Sequence, residues 1–320
     1  MTSLFTGIQK RKNKYIATAV ILCLIVIILG YLNIMIGEKN YFIMTKLRLP
    51  RTAAAILSGI AFGVAGNIFQ TLLKNPLASP DIIGVSSGSS AAAVYCILFL
   101  DLNKGLVSLI AVVAGVATAA LIYGIAYTNS FSVNRLILVG IGAQAIFSAL
   151  INWMVMAGAE YDVPTAMRWM TGNLNGIMMD SIPLLFGVVI LCLVFLICLS
   201  QGLLSLTLGE DYSTVLGVRI HIIRICLIIC SVALIAFATA ITGPIASIAF
   251  LSGPIASRLC GHNRANIITS GLIGAILVLA GDFVGQNLLF TRYPVGVVTG
   301  ILGAPYLVYL LIRQNKGGTF

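Results

Sequence analysis

The sequence contains ten long apolar runs, and these constrain its fold more than any other feature. They cover residues 15–36, 52–72, 84–100, 105–127, 136–157, 181–200, 223–242, 246–257, 267–290 and 294–313. Most approach the ~20 residues that an α-helix needs to cross a hydrocarbon core, although the third and the eighth run are shorter or rich in glycine. None shows the alternation of barrel strands. We therefore predict an all-α integral membrane protein with about ten transmembrane helices, forming a single domain over residues 1–320.

Composition excludes the soluble alternatives. Charged residues make up 9% of the chain and hydrophobic residues 59%, whereas a soluble domain carries roughly 25% charged residues. Such a chain cannot cover a water-facing surface, which excludes a soluble enzyme and a disordered protein. The net charge of +10 lies in short segments between apolar runs, where cations set membrane orientation. It therefore indicates contact with lipid and no nucleic-acid partner.

The distribution of cations predicts the orientation. Lys10, Arg11, Lys12 and Lys14 precede a first run that is too long for a cleaved signal peptide. We therefore predict a cytoplasmic tail of about residues 1–14 followed by an uncleaved span. With ten spans, twelve of the 19 Lys and Arg residues then lie on the inner side and seven on the outer side, as the positive-inside rule requires. Both termini are then cytoplasmic.

Four of the seven outer cations crowd into one stretch against that trend. They are Lys39, Lys46, Arg48 and Arg51. Arg48 and Arg51 flank a Leu-Pro step, which gives a stiff pair of groups that can each bind a carboxylate through two hydrogen bonds. The pattern predicts a docking surface for an acidic partner. The alternative is an interfacial anchor that reaches lipid phosphates.

Several residues inside or beside the spans are candidates for a translocation path or for helix packing. They are Gln70, Asn75, Pro76, Gly84, Gly88, Gly243 and Pro244. Glycines spaced four apart let helices approach closely in lipid, and the Asn-Pro step breaks a helix at an inner turn. A glutamine within a span is costly unless it hydrogen-bonds a neighbouring helix or faces a water-filled path. Both interpretations remain open.

Asp282 is the only carboxylate placed deep in a span. An intramembrane acid indicates a functional site by default, so one hypothesis is an ion-coupled secondary transporter that uses Asp282. Against it, no ionisable partner lies near Asp282 in the sequence, and no internal repeat of the kind typical of such transporters is found. We favour a structural hydrogen bond between helices.

The inner segment of about residues 201–222 is the longest polar stretch on its side of the membrane. It contains an acidic pair and a Leu-Gly step: Glu210, Asp211, Leu216 and Gly217. We predict a short interfacial helix over about 205–214 that docks into a partner; a simple connector is the alternative. The chain has no GxxxxGK[ST] loop, so ATP hydrolysis by that mechanism must come from another chain.

Four segments follow one another in a recognisable order. They are Leu47-Arg48-Leu49-Pro50-Arg51, Gln70 with Asn75-Pro76-Leu77-Ala78, Gly243-Pro244-Ile245, and Asp282 with Pro294-Val295-Gly296 and Gly303-Ala304-Pro305. Over about residues 46–313, this ordered set resembles the FecCD permease family. Members of that family are the membrane subunits of ABC importers for iron-siderophores, haem and cobalamin.

The resemblance implies a type II ABC importer permease architecture. Two permease subunits of ten helices flank a central path, and two separate ABC ATPase subunits, which carry ATP and Mg²⁺, bind on the inner side. An extracytoplasmic binding protein delivers the substrate by placing acidic residues against permease arginines. Many members carry Pro-His where this chain has Gly253-Pro254, which favours a heterodimer with a second FecCD-type subunit.

The resemblance also assigns residues. The docking residues are Arg48 and Arg51 with Lys46, and the position of a further family arginine falls at Gln286, for which Arg292 is the nearby substitute. The residues that couple to the ATPase are Leu208, Gly209, Glu210, Asp211, Leu216 and Gly217.

The leading hypothesis is a non-catalytic permease subunit of a bacterial cytoplasmic membrane that imports an iron-siderophore, with no cofactor or metal of its own. A haem or cobalamin permease of the same family is one alternative, and the secondary transporter is another. An intramembrane enzyme is disfavoured, because the sequence has neither an HExxH motif nor paired aspartates in its spans.

Overall fold

The computed structural model describes residues 2–37, 40–127, 132–215, 217, 219–261 and 265–316. These residues form thirteen α-helices and no strand. The helices are α1 (Thr2–Met35), α2 (Leu49–Leu72), α3 (Val85–Phe99), α4 (Lys104–Ala126), α5 (Val133–Ala157), α6 (Val163–Met170), α7 (Ile182–Cys198), α8 (Ser200–Leu208), α9 (Glu210–Val215), α10 (Ile220–Thr242), α11 (Ile248–Cys260), α12 (Ile267–Asn287) and α13 (Val295–Lys316). Short turns of π-helix (Ile43–Arg48) and 3-10 helix (Pro80–Ile83, Met179–Ser181) lie between them.

Each of the ten apolar runs is a helix, which confirms the all-α prediction. Seven of the described helices are long and apolar enough to cross a membrane, and α3, α11 and the apolar part of α13 are shorter. The two runs that looked too short for ordinary spans are indeed the shortest, with 15 residues in α3 and 13 in α11. Three further helices, α6, α8 and α9, lie in the connections between runs.

Helix α1 is continuous over 34 residues and is therefore about 50 Å long. Its apolar spanning part is Asn13–Met35, so the tail predicted at about residues 1–14 continues the same helix. One boundary differs from the prediction. The second span begins earlier than expected: the π-helical turn at Ile43–Arg48 continues directly into α2. Pro50 is the second residue of α2, and its fixed φ angle is compatible with a helix.

Helix α2 is the centre of the bundle and packs against α10, α11 and α12. A ridge of glycines makes this possible. A Cβ atom on Gly59, Gly63 or Gly66 would overlap backbone atoms of α12 or α11. In lipid, helices associate through such close backbone packing and not through hydrophobicity. By contrast, α1 and α5 are mostly exposed on the outside of the subunit.

Candidate functional site

At the end of the bundle predicted to be outer, Arg51 and Asp282 form an ion pair. Arg51 Nε donates a 2.8 Å hydrogen bond to Asp282 Oδ2, and Arg51 Nη2 donates to Oδ1 of the same carboxylate. Arg51 Nη1 donates a 2.7 Å hydrogen bond to Asn175 Oδ1. The Asp282 side chain is 3% exposed and that of Arg51 is 17% exposed. The network therefore joins α2, α12 and the connection between α6 and α7.

This geometry gives Asp282 an ionisable partner that the neighbouring sequence does not contain. The partner is 231 residues away in sequence, so proximity along the chain could not reveal it. The predicted hydrogen bond between helices is present, and its donor is Arg51. The same contact bears on the prediction that Arg51 binds a carboxylate of an external partner, because its guanidinium already binds a carboxylate of its own subunit.

The other predicted docking residues differ in how far they are engaged by their own subunit. Arg48 Nη1 donates a 3.0 Å hydrogen bond to the carbonyl oxygen of Ile34 near the end of α1, so this arginine also stabilises its own subunit. Lys46 and Arg292 are exposed. The docking role of all four residues stays a prediction, with Lys46 and Arg292 as the cations that an external partner reaches most directly.

Three glycines form a tight junction where the outer connections meet. Gly172 and Gly243 adopt positive φ angles of 70° each, and a Cβ on Gly172, Gly243 or Gly296 would overlap a backbone carbonyl of a neighbouring connection. The N–H of Gly296 donates to the Gly172 carbonyl oxygen at 3.2 Å. Gly243 and Pro244 therefore pack against neighbouring backbone. Gly172 belongs to the same junction, and the sequence did not indicate it.

The candidate residues near the inner end also serve packing. Gln70 is buried and donates a 2.9 Å hydrogen bond from Nε2 to the Phe250 carbonyl oxygen of α11. This contact fits the interhelical interpretation of Gln70. Gly84 immediately precedes α3 with φ +68°, and a Cβ on Gly88 would overlap Thr118 of α4.

A side chain within the turn after α2 stabilises that turn. Lys74 adopts a left-handed φ of 49°, which ends the helix. Asn75 Oδ1 then accepts a 2.9 Å hydrogen bond from the Leu77 N–H, across Pro76. Asn75 and Pro76 therefore form a compact inner turn, as the Asn-Pro step predicts.

The predicted coupling segment contains two short helices and not one. Leu208 ends α8, Gly209 adopts φ 117° and ψ 158°, and Glu210 and Asp211 begin α9. Ser213 Oγ lies 2.7 Å from the carbonyl oxygens of both Ser205 and Gly209. The expected single helix is thus broken at Gly209, in a backbone conformation that is essentially restricted to glycine. Leu216 lies outside the described residues, and Gly217 has φ 74°.

The sequence reasoning missed a polar stripe on α5. Gln144, Ser148 and Asn152 follow one another at intervals of four residues, and all three are exposed on the surface of the subunit. Residues at this spacing lie on one face of a helix. The signal was present in the sequence, as polar residues at regular intervals inside an apolar run, but only the structure shows that the stripe faces away from the bundle.

Comparison with known proteins agrees with this architecture. The model of the FecCD transport family matches residues 15–313. The chain belongs to the FecCD transport family. The FecCD chain is 35% identical over 275 residues to the ferric enterobactin transport system permease protein FepG of Escherichia coli strain K12, covering 86% of this chain and 83% of that protein.

Two further similarities support the same assignment. The achromobactin transport system permease protein CbrC of Dickeya dadantii strain 3937 is 36% identical over 282 residues, which are 87% of this chain and 81% of that protein. A solved structure described as an inward-facing metal-chelate type ABC transporter superposes with a TM-score of 0.85 at 27% identity, covering 93% of this chain and 99% of that one. This FecCD protein is thus a multi-pass protein of the cytoplasmic membrane with a type II importer-like fold.

Proposed function

We propose that this FecCD protein is the permease subunit of a binding-protein-dependent ABC importer that moves an iron-siderophore complex inward. The ATP and Mg²⁺ belong to two separate ATPase subunits, and a second FecCD-type permease completes the path. The names of the relatives support the transport class, since FepG and CbrC are named as permease proteins of transport systems. Gly253-Pro254 at the position of the family's Pro-His step supports a heterodimer.

The polar stripe on α5 carries the proposal. Gln144, Ser148 and Asn152 are exposed on a helix that is long and apolar enough to span the membrane. A polar group facing the hydrocarbon core without a partner costs several kcal/mol, so this face borders water or a second protein. A translocation path between two permease subunits would place this face next to water and next to the second subunit. The stripe would then supply hydrogen-bonding groups to a large polar cargo.

The stripe predicts a transport defect that leaves assembly intact. We expect Gln144→Leu with Ser148→Leu and Asn152→Leu to lower ATP-driven iron-siderophore uptake into proteoliposomes at least tenfold. The matched control is Gly142→Leu, which adds the same side chain at an exposed and open position of α5 outside the stripe. Undiminished uptake by the triple variant would show that the stripe does not line the path. Uptake that persists without the ATPase and collapses with a protonophore would favour the secondary transporter instead.

The segment from α8 to α9 is the proposed ATPase contact. Its support is the rigid break at Gly209, where the Ser213 hydroxyl fixes the angle between two short helices. Valine cannot adopt the backbone conformation of Gly209 without strain. We therefore expect that in the Gly209→Val variant the loaded binding protein no longer stimulates ATP hydrolysis by the ATPase subunits. Gly105→Val makes the same substitution at the outer start of α4 and should leave coupling intact. Normal stimulation of the ATPase in the Gly209 variant would contradict the assignment.

The outer cations Lys46, Arg48, Arg51 and Arg292 are the proposed docking surface for the binding protein. The exposed pair, Lys46 and Arg292, carries the direct contacts. Exposed ion pairs contribute roughly 0.2–1 kcal/mol each, so we expect Lys46→Glu with Arg292→Glu to weaken binding by about fivefold or more and to reduce its salt dependence. Lys14→Glu, on the opposite side of the membrane, is the control. If affinity and salt slope match those of the control, these cations only contact lipid.

A further inference from the structure

A cavity of about 370 Å³ lies at the end of the bundle that is predicted to be cytoplasmic. Its walls are the last turns of α2, the turn at residues 73–77, α8 and the second half of α11. Lys74 and Arg258 stand at its exposed edge. The cavity is separate from the α5 stripe and from the outer cations, and it shares only α8 with the proposed ATPase contact.

The described lining of the cavity carries positive charge only. Among the described residues, Lys74 and Arg258 are the charged ones that line it, and no described aspartate or glutamate does so. Among the side chains that the structure describes, neither cation lies within 4.0 Å of a carboxylate. The Arg258 guanidinium is held in place by aromatic rings, with its central carbon 5.7 Å from the Tyr306 ring centre and 5.2 Å from that of Tyr309. With no described acidic partner beside them, these two cations create a positive potential in the cavity.

The two amides deepest in the cavity are fixed by the protein. Asn67 Nδ2 donates to the Ala265 carbonyl oxygen at 2.6 Å, and Gln70 Nε2 donates to the Phe250 carbonyl oxygen at 2.9 Å. Both side chains are more than nine-tenths buried. They form a rigid wall and leave ligand binding to the groups nearer the edge.

The edge of the cavity carries donors. Asn75 Oδ1 accepts a hydrogen bond from the Leu77 N–H, which leaves the two hydrogens of Asn75 Nδ2 available. Ser257 Oγ accepts a long 3.5 Å hydrogen bond from Asn266 Nδ2, which leaves the hydroxyl hydrogen to donate. Together with the ammonium and the guanidinium, these groups form a set of donors around one space. Such a set matches an anion with several acceptor oxygens.

We propose that this cavity binds a phosphate-bearing anion at the cytoplasmic face. Basic pockets between transmembrane helices at this face suit the head groups of anionic lipids, and inorganic phosphate offers the same chemistry. The cavity volume lies at the lower end of the range for small-molecule sites. Because α8 forms one wall, an occupied cavity fixes α8 against α2 and α11. The proposal depends neither on the cargo nor on the ATPase.

The test uses the full-length chain, delipidated in detergent, and native mass spectrometry with added phosphatidylglycerol, phosphatidylcholine or inorganic phosphate. We expect Lys74→Gln with Arg258→Gln to weaken binding of phosphatidylglycerol at least tenfold. The control double variant, Lys14→Gln with Lys104→Gln, removes the same charge from exposed sites outside the cavity and should bind like the parent chain. Should the cavity variant fail to fold, Ser257→Leu, which removes a donor and narrows the cavity without changing charge, should weaken binding in the same direction.

The outcomes separate the two sources of phosphate. Preferential binding of phosphatidylglycerol, lost only in the cavity variants, identifies a lipid site, and the same pattern with inorganic phosphate alone identifies a site for a soluble anion. Equal binding of phosphatidylglycerol and phosphatidylcholine, with no response to phosphate, overturns the proposal. An equal loss in the cavity and control variants also overturns it, since net charge would then explain the binding.

Discussion

The Asp282→Asn protein is expected to lose about 3 kcal/mol of stability, because the substitution removes the charge that compensates a largely buried arginine. Breaking a buried ion pair on one side typically costs about 3–5 kcal/mol, and Arg51 is 17% exposed, which places the loss near the lower limit. The midpoint of thermal unfolding in detergent should fall by roughly 5 °C or more.

The double variant Arg51→Met with Asp282→Leu is the matched control for this prediction. It removes both charges and fills the space with apolar atoms, and such replacements of buried pairs are often neutral or stabilising. We therefore expect it to be more stable than the single variant. An unchanged midpoint in the single variant, or a double variant that is the less stable of the two, would show that the pair contributes little to the bundle.

The same single variant distinguishes the two transport hypotheses. An asparagine keeps the shape of the carboxylate but cannot carry a proton. If ATP drives transport, uptake by each correctly folded molecule should persist at a normal rate. Loss of uptake in the folded fraction, with ATPase binding intact, would return Asp282 to the role of a coupling site.

The Gly274→Ala protein should be destabilised or fail to assemble its bundle. A Cβ at this position would overlap the Gly59 carbonyl oxygen and lie 3.1 Å from the Gly63 Cα. Overpacking of a well-packed interior costs about 1–3 kcal/mol, and the upper part of that range applies, since the obstacle is backbone that cannot change its rotamer. Helices α2 and α12 would have to separate.

Gly187→Ala is the control, with the same substitution in α7. Gly187 is exposed, and no atom of a neighbouring residue lies within 4 Å of its hypothetical Cβ. This variant should be neutral or gain up to about 1 kcal/mol from helix propensity. Comparable thermal midpoints for the two alanine variants, measured in detergent and in nanodiscs, would mean that the contact between α2 and α12 tolerates an added methyl group.

The sequence located the helices more successfully than it located their neighbours. Local properties of the sequence sufficed for the helices. Hydropathy and run length predict the ten helical runs and the two short helices α3 and α11, and the placement of proline predicts the helix break at Asn75-Pro76. The break at Gly209 was missed, because a glycine between two short segments fits a continuous helix equally well until its φ angle is known.

The functional surfaces were harder to predict for a different reason. All spans are similarly apolar, since side chains facing lipid and side chains facing other helices are both hydrophobic. Hydropathy therefore could not identify α2 as the central helix or show that the polar stripe of α5 faces outward. The exposed position of Gln144 depends on which side of α5 packs against its neighbours.

The sequence by itself determined that this chain is a polytopic membrane protein of helices and the order of its family motifs, because these depend on apolar length and residue order. Only the tertiary structure decided which charges are free. Arg51 and Asp282 are 231 residues apart, and their pairing requires α2 and α12 to pack through glycines at close range. Ion pairing depends on distance in space, and that distance is set by helix packing that no local sequence pattern specifies.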